Sequence, residues 1–92
     1  MLSVNYCKIG DEGGVILADA ISHSSSVKDV RAKYCNFGDA TARSFALCLE
    51  ENHARLERLD LSNNHINDAG GELLGISIKQ NTHLKFLDLR KN

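Results

Sequence analysis

Leu56-Glu57-Arg58-Leu59-Asp60-Leu61-Ser62-Asn63-Asn64-His65-Ile66 returns 28 residues later as Leu84-Lys85-Phe86-Leu87-Asp88-Leu89-Arg90-Lys91-Asn92. Upstream lies a weaker copy, Val27-Lys28-Asp29-Val30-Arg31-Ala32-Lys33-Tyr34-Cys35-Asn36-Phe37, in which Val27, Val30 and Ala32 stand where leucines recur later. A truncated copy, Leu2-Ser3-Val4-Asn5-Tyr6-Cys7-Lys8-Ile9, opens the chain. One landmark of each copy falls at Cys7, Cys35, Asn64 and Asn92, with gaps of 28, 29 and 28 residues. Self-similarity at such a period defines a solenoid, in which one supersecondary unit buries its apolar face only by stacking on the next.

The core L-x-x-L-x-L-x-x-N/C resembles the ribonuclease-inhibitor-like class of leucine-rich repeats. The likeness extends over essentially the whole chain and is tightest from Leu56 to Asn92. That class includes ribonuclease inhibitors, sensor arrays of nucleotide-binding immune receptors, activators of a small nuclear-transport GTPase and several axonemal proteins. The resemblance implies a protein-binding scaffold, and its alternatives are a sensor array beside a nucleotide-binding switch or a GTPase-activating repeat protein. The resemblance also implies a cilium or flagellum axoneme as the alternative to the cytoplasmic location expected from reduced thiols and the absence of an N-x-S/T sequon.

The unit can be derived from its residues. Apolar positions alternate in each strand, at Leu2 and Val4, Val30 and Ala32, Leu59 and Leu61, Leu87 and Leu89. Another inward group follows the landmark at Ile9, Phe37 and Ile66, and an aspartate comes two residues later at Asp11, Asp39 and Asp68. An aspartate ahead of an apolar-periodic run predicts a helix N-cap. Apolar i, i+4 pairs then predict helices over 11–22, 40–51 and 69–80, with Gly13 and Gly70 letting each helix start sit close to the sheet. Strands are expected near 2–4, 29–32, 58–61 and 86–89. Neighbouring strands need about 4.8 Å and packed helices about 8–10 Å. The mismatch curves the stack into a right-handed β–α solenoid, an α/β fold with a parallel sheet on the concave side and helices on the convex side.

The 92 residues divide into a partial repeat 1–26, repeats 27–55 and 56–83, and a partial repeat 84–92. The second repeat carries its extra residue in the return loop Asn52-His53-Ala54-Arg55. Terminal polar caps are absent from the pattern, so the chain is expected to be a segment whose uncapped ends meet neighbouring repeats or chains.

A net charge of −1 gives no overall basic excess, so no nucleic-acid partner is expected. No apolar run is long enough to span a membrane. Three cysteines are an odd number for a disulfide framework, and their spacing fits no zinc pattern. Cys7 and Cys35 take the landmark position and Cys48 shares a helix face with Phe45 and Leu49, so all three are expected to be buried, reduced thiols. His23, His53, His65 and His83 lack the spacing of metal ligands, and no cofactor is implied. Neither Gly13-Gly14 nor Gly70-Gly71 falls in a phosphate-binding motif. No nucleophile–base pair in a closed pocket is evident, and the chain is read as not an enzyme.

The outward strand positions form three columns across the concave face: Met1, Asp29, Arg58, Phe86; Ser3, Arg31, Asp60, Asp88; and Asn5, Lys33, Ser62, Arg90. Cross-strand pairs Asp29–Arg58 and Arg31–Asp60 are expected. The candidate partner-binding residues are therefore Asp29, Arg31, Lys33, Tyr34, Arg58, Asp60, Ser62, Phe86, Asp88 and Arg90, with Tyr34 and Phe86 as aromatic anchors.

Overall fold

A computed structural model describes residues 1–51 and 55–92. Four short strands, β1 (Leu2–Ser3), β2 (Asp29–Arg31), β3 (Arg58–Asp60) and β4 (Phe86–Asp88), alternate with α1 (Gly10–Ser22), α2 (Asp39–Glu51) and α3 (Asp68–Ile78). The strands form one parallel sheet in sequential order, β1-β2-β3-β4. Helix α2 packs against both α1 and α3. Strand, helix and return, repeated with sequential pairing, make a β–α solenoid, and the spacing mismatch puts the sheet on its concave side. Residues 52–54 of the lengthened return loop, with His53, lie outside the described residues.

The core lies between sheet and helices. Val30, Ala32, Leu59 and Leu61 of the inner strands are fully buried, as are Phe37, Phe45, Leu49, Leu56 and Leu74. Leu2, Val4, Leu87 and Leu89 are only partly covered, because β1 and β4 each have one neighbouring strand. The same geometry explains a departure at the first coil. Ile9, expected inside, is 43 % exposed, and Cys7, expected buried, is exposed.

The landmark residues tie each coil to the one before it. Asn64 Oδ1 accepts from the amides of Cys35 (2.9 Å) and Phe37 (3.1 Å), while Nδ2 donates to the carbonyls of Ala32, Leu61 and Ser62. Asn92 repeats the arrangement, accepting from Ile66 N and donating to Leu61 O. Cys35 keeps half of it: its thiol donates to Val4 O at 3.0 Å.

The aspartates work forward instead. Asp11 and Asp39 lie inside the first turns of their own helices and bond to the start of the next one. Asp11 Oδ1 accepts from Gly38 N (2.7 Å), Thr41 N (3.2 Å) and Thr41 Oγ1 (2.6 Å), and Asp39 Oδ1 accepts from Asn67 N (2.8 Å) and Gly70 N (3.2 Å). The expected N-cap is thus supplied across the coil interface for α2 and α3, and among the described residues Asn67, which precedes α3, makes no side-chain cap bond of its own. Partial burial opposes ionisation of Asp11, but the bonds from Thr41 Oγ1, Gly38 N and Thr41 N prevail and hold its carboxyl below the usual carboxylate range.

Close helix approach completes the interface. A Cβ on Gly70 would lie 2.5 Å from Asp39 Oδ1 and 2.9 Å from Ala42 Cβ, so this glycine admits the neighbouring helix rather than the sheet. Between α1 and α2 the same service is given by Gly14, whose Cβ would strike Thr41 Oγ1; Gly13 instead faces Ile9 of its own coil.

Candidate functional site

Pairing Asp29↔Arg58↔Phe86 and Ser3↔Arg31↔Asp60↔Asp88 aligns the outward positions in the columns read from the sequence. The interactions within those columns differ from expectation. Arg31 binds Asp29 of its own strand, through Nε at 3.3 Å and Nη2 at 3.2 Å, and Arg90 binds Asp88, with Nη2 at 2.8 Å. Residues i and i+2 share a face in a strand, so an arginine can fold back along its own chain as readily as across. The Arg31 hydrogen bond holds the Asp29 carboxyl below its usual range, and Arg90 does the same for Asp88.

Arg58 is thereby left for another partner. Its guanidinium carbon sits 4.0 Å from the centroid of the Phe86 ring, a cation–π arrangement. Its Nε is buried and has no hydrogen-bond partner among the described residues. Phe86 itself is 41 % exposed.

Two candidate residues also serve the turns that follow their strands. Asp60 accepts from Ser62 N (2.9 Å) and Ser62 Oγ (2.7 Å), and Asp88 accepts from Arg90 N (3.0 Å); these local turns end the strands. Ser62 and Asp88 are buried, at 5 % and 7 % exposure, whereas Asp29, Arg31, Lys33, Arg58 and Asp60 are half-buried and Tyr34 and Arg90 exposed.

The turn leaving each strand supplies what the sequence reading missed. Tyr6 and Tyr34 occupy equivalent positions 28 residues apart and stack, with ring centroids 4.9 Å apart and planes inclined by 10°. That separation is the strand spacing itself, about 4.8 Å. The repeat alignment held this signal, since Tyr6 falls under Tyr34, but the first copy is truncated. Asn63 and Lys91 continue the series, and all four residues have left-handed backbone, φ 66° at Tyr6, 58° at Tyr34, 58° at Asn63 and 60° at Lys91.

Cys7, Cys35 and Cys48 are free thiols. Burial pushes the Cys35 thiol up, and burial followed by the Glu51 charge pushes Cys48 up to about 11. Because thiolate is the reactive form, Cys7 should react with a maleimide in the native protein while Cys35 and Cys48 wait for denaturation. Mass spectrometry after timed labelling checks this, and early modification of Cys35 or Cys48 would contradict the burial. Among the described residues no group of three or more His, Cys, Asp or Glu could hold a metal ion, and no helix is long and apolar enough to cross a membrane.

A sequential parallel sheet backed by helices, locked coil to coil by asparagine and aspartate side chains, defines a repeat solenoid with an open sheet face. The description Leucine Rich repeat matches residues 2–18, 54–75 and 80–92, and the chain belongs to the leucine-rich-repeat family. It is a protein-interaction module of that family. Mouse relatives include NACHT, LRR and PYD domains-containing protein 4C, 36 % identical over 90 residues and 96 % of this chain, and NACHT, LRR and PYD domains-containing protein 12, 32 % identical over 82 residues and 88 % of this chain. The chain spans only 9 % and 8 % of those two proteins. The solved structure of Leiomodin-1 Actin-Binding Site 2 superposes with a TM-score of 0.92 at 25 % identity, over 99 % of this chain and 53 % of that one.

Proposed function

We propose that the chain is a non-enzymatic scaffold that docks a protein partner on the concave sheet face. The observation that supports this best is the Arg58–Phe86 unit, an exposed aromatic ring with a guanidinium laid on it at 4.0 Å. Aromatic residues and arginines dominate interface energetics, and here neighbouring strands hold both in place before any partner arrives. Tyr34 extends the aromatic surface, and Asp29, Arg31, Lys33, Asp60 and Arg90 form its polar surround. Ser62 and Asp88 take a supporting part, shaping the strand ends. The neighbour named for an actin-binding site lends weight to a protein ligand in general. An intracellular setting accords with the three free thiols.

A second reading is favoured by the relatives. Both mouse proteins carry a NACHT domain in their names, so the chain would serve as the repeat array of a sensor attached to such a domain. The same face would then read the sensed ligand.

Immobilised protein should capture partners from cell lysate, to be compared between the parent chain and variants of equal melting temperature. Arg58→Glu and Phe86→Ala should each abolish capture of the same species, while Arg43→Glu and Glu72→Lys on the helices leave it intact. The opposite pattern would move the interface to the convex side, where Ile16, Leu47 and Ile76 are exposed.

A further inference from the structure

We infer that the ridge of turns leaving the strands binds an acidic, extended segment of a protein partner. This deepens the protein-binding reading above and rests on it. The near-neutral net charge of −1 conceals a strong segregation. The three helices hold eight of the twelve acidic residues and a single basic one, Arg43. The sheet, turns and return segments hold the other ten lysines and arginines against four acids. The helix layer is therefore acidic, and the sheet with the segments at both its ends is basic.

Most of the charge on the sheet itself is already engaged, since Arg31 lies on Asp29, Arg90 on Asp88 and Arg58 over Phe86. The turn ridge differs. Among the described residues no ion pair includes Lys8, Lys33 or Lys91. Lys8 and Lys91 line one surface hollow together with Tyr34 and His65, and Lys33, Arg90 and Lys91 line the next, whose one carboxylate, Asp60, accepts from Ser62 N and Oγ. Asn63 and Lys91 belong to both, so the two hollows form one track.

The backbone makes the residue choice informative. Left-handed backbone favours glycine or asparagine and is strained for other residues. Only Asn63 of the four equivalent turn residues follows the preference; Tyr6, Tyr34 and Lys91 do not, and Lys8 is also left-handed at φ 50°. The chain holds aromatic and cationic side chains on this edge against local preference.

The ligand follows from that chemistry. From the first coil to the fourth is three strand spacings, about 14 Å, which four or five extended residues span. Carboxylates on such a segment would meet Lys8, Lys33 and Lys91, and an adjoining apolar residue would meet the exposed faces and edges of the tyrosine pair, preassembled at little entropic cost. Nucleic acid fits less well. Tyr6 and Tyr34 stack on each other at 4.9 Å, leaving no gap for a base between them.

The test uses the whole 92-residue chain and a fluorescein-labelled oligoglutamate of about ten residues, read by anisotropy. Binding is expected at low salt, weakening as salt shortens the Debye length from about 30 Å to about 8 Å. Replacing Lys8, Lys33 and Lys91 together by glutamine should lower affinity at least about tenfold, as charge steering and pairing are lost. The corresponding glutamate variant should abolish binding, whereas Glu50→Gln with Glu51→Gln on α2 should not weaken it. Circular dichroism melting establishes that each variant is folded, and the glutamine set carries the test if the glutamate set is not. No binding, or binding indifferent to the lysines, overturns the inference while leaving the concave-face proposal to its own assay on Arg58 and Phe86. A single-stranded oligothymidylate of equal length that binds as tightly and depends on the same lysines overturns it in favour of nucleic acid.

Discussion

Leu61→Ala should destabilise the protein by about 2–5 kcal/mol, the range for a fully buried leucine whose site collapses incompletely. Leu61 is wholly buried, and its coil sits between two others: its amide donates to Asp88 O at 2.9 Å, and Ala32 N of the preceding coil donates to Asp60 O at 2.9 Å. Neither the flanking Ala32 nor the partly exposed Leu89 is placed to fill the space the lost isopropyl group leaves. A chain of this size has a stability of only about 5–10 kcal/mol, so a large share is lost. Asp60→Ala, one residue away and outward, should cost about 1 kcal/mol or less, because its bonds to Ser62 lie in a half-buried turn that water can serve. Chemical denaturation of the two variants checks the contrast. Equal losses would mean the inward and outward faces of β3 are misassigned.

That contrast depends on a face assignment the sequence already carried. Alternation at Leu59 and Leu61, together with a 28-residue repeat, suffices to fix register, since a one-residue slip would expose every inward leucine at once. The helices begin within a residue of the expected positions for the same reason, periodic apolar groups having one face to bury. What local pattern could not carry is direction between coils. An aspartate ahead of a helix looks the same whether it caps its own helix or the next, and only the stacked structure sends Asp11 to Gly38 and Thr41. Burial at equivalent positions was likewise beyond the pattern, because Cys7 and Cys35 share a place in the repeat but not a set of neighbours. The charge columns were aligned correctly, yet side-chain reach let Arg31 and Arg90 choose partners along their own strands.

The candidate site was legible in the same partial way. Phe86, Arg58 and Tyr34 stood out as outward aromatic and cationic residues, and the structure brings two of them into contact. The segregation of acidic helices from basic turns could be counted only once the helix boundaries were known, since the overall charge cancels it.

Asn64→Ala should cost about 2–6 kcal/mol through hydrogen bonding alone, at about 1–3 kcal/mol for each of the two buried donors left unpaired. Five bonds to this one side chain disappear, and the amides of Cys35 and Phe37 lose their acceptor where both residues are fully buried. Asn64→Asp keeps an acceptor but sets a carboxylate against the carbonyls of Ala32, Leu61 and Ser62, so its loss should be at least as large at neutral pH. That loss should shrink as pH falls, because protonating a buried carboxyl restores a donor and removes the charge. Asn64→Cys decides why the repeat tolerates cysteine at this position. Cys35 donates to Val4 O and offers the Cys7 amide only a sulfur, a weak acceptor, but Cys7 and Ile9 are exposed and water can serve their amides. One coil later the corresponding amides are sealed in the core. Asn64→Cys should therefore fall within about 1 kcal/mol of Asn64→Ala, the common deficit being the unpaired amides. Cys35→Asn should be neutral or mildly stabilising. If Asn64→Cys instead retained the stability of the parent chain in urea titration, the donated bonds would be what matters at this position, and the landmark would be a carbonyl clamp rather than an amide acceptor.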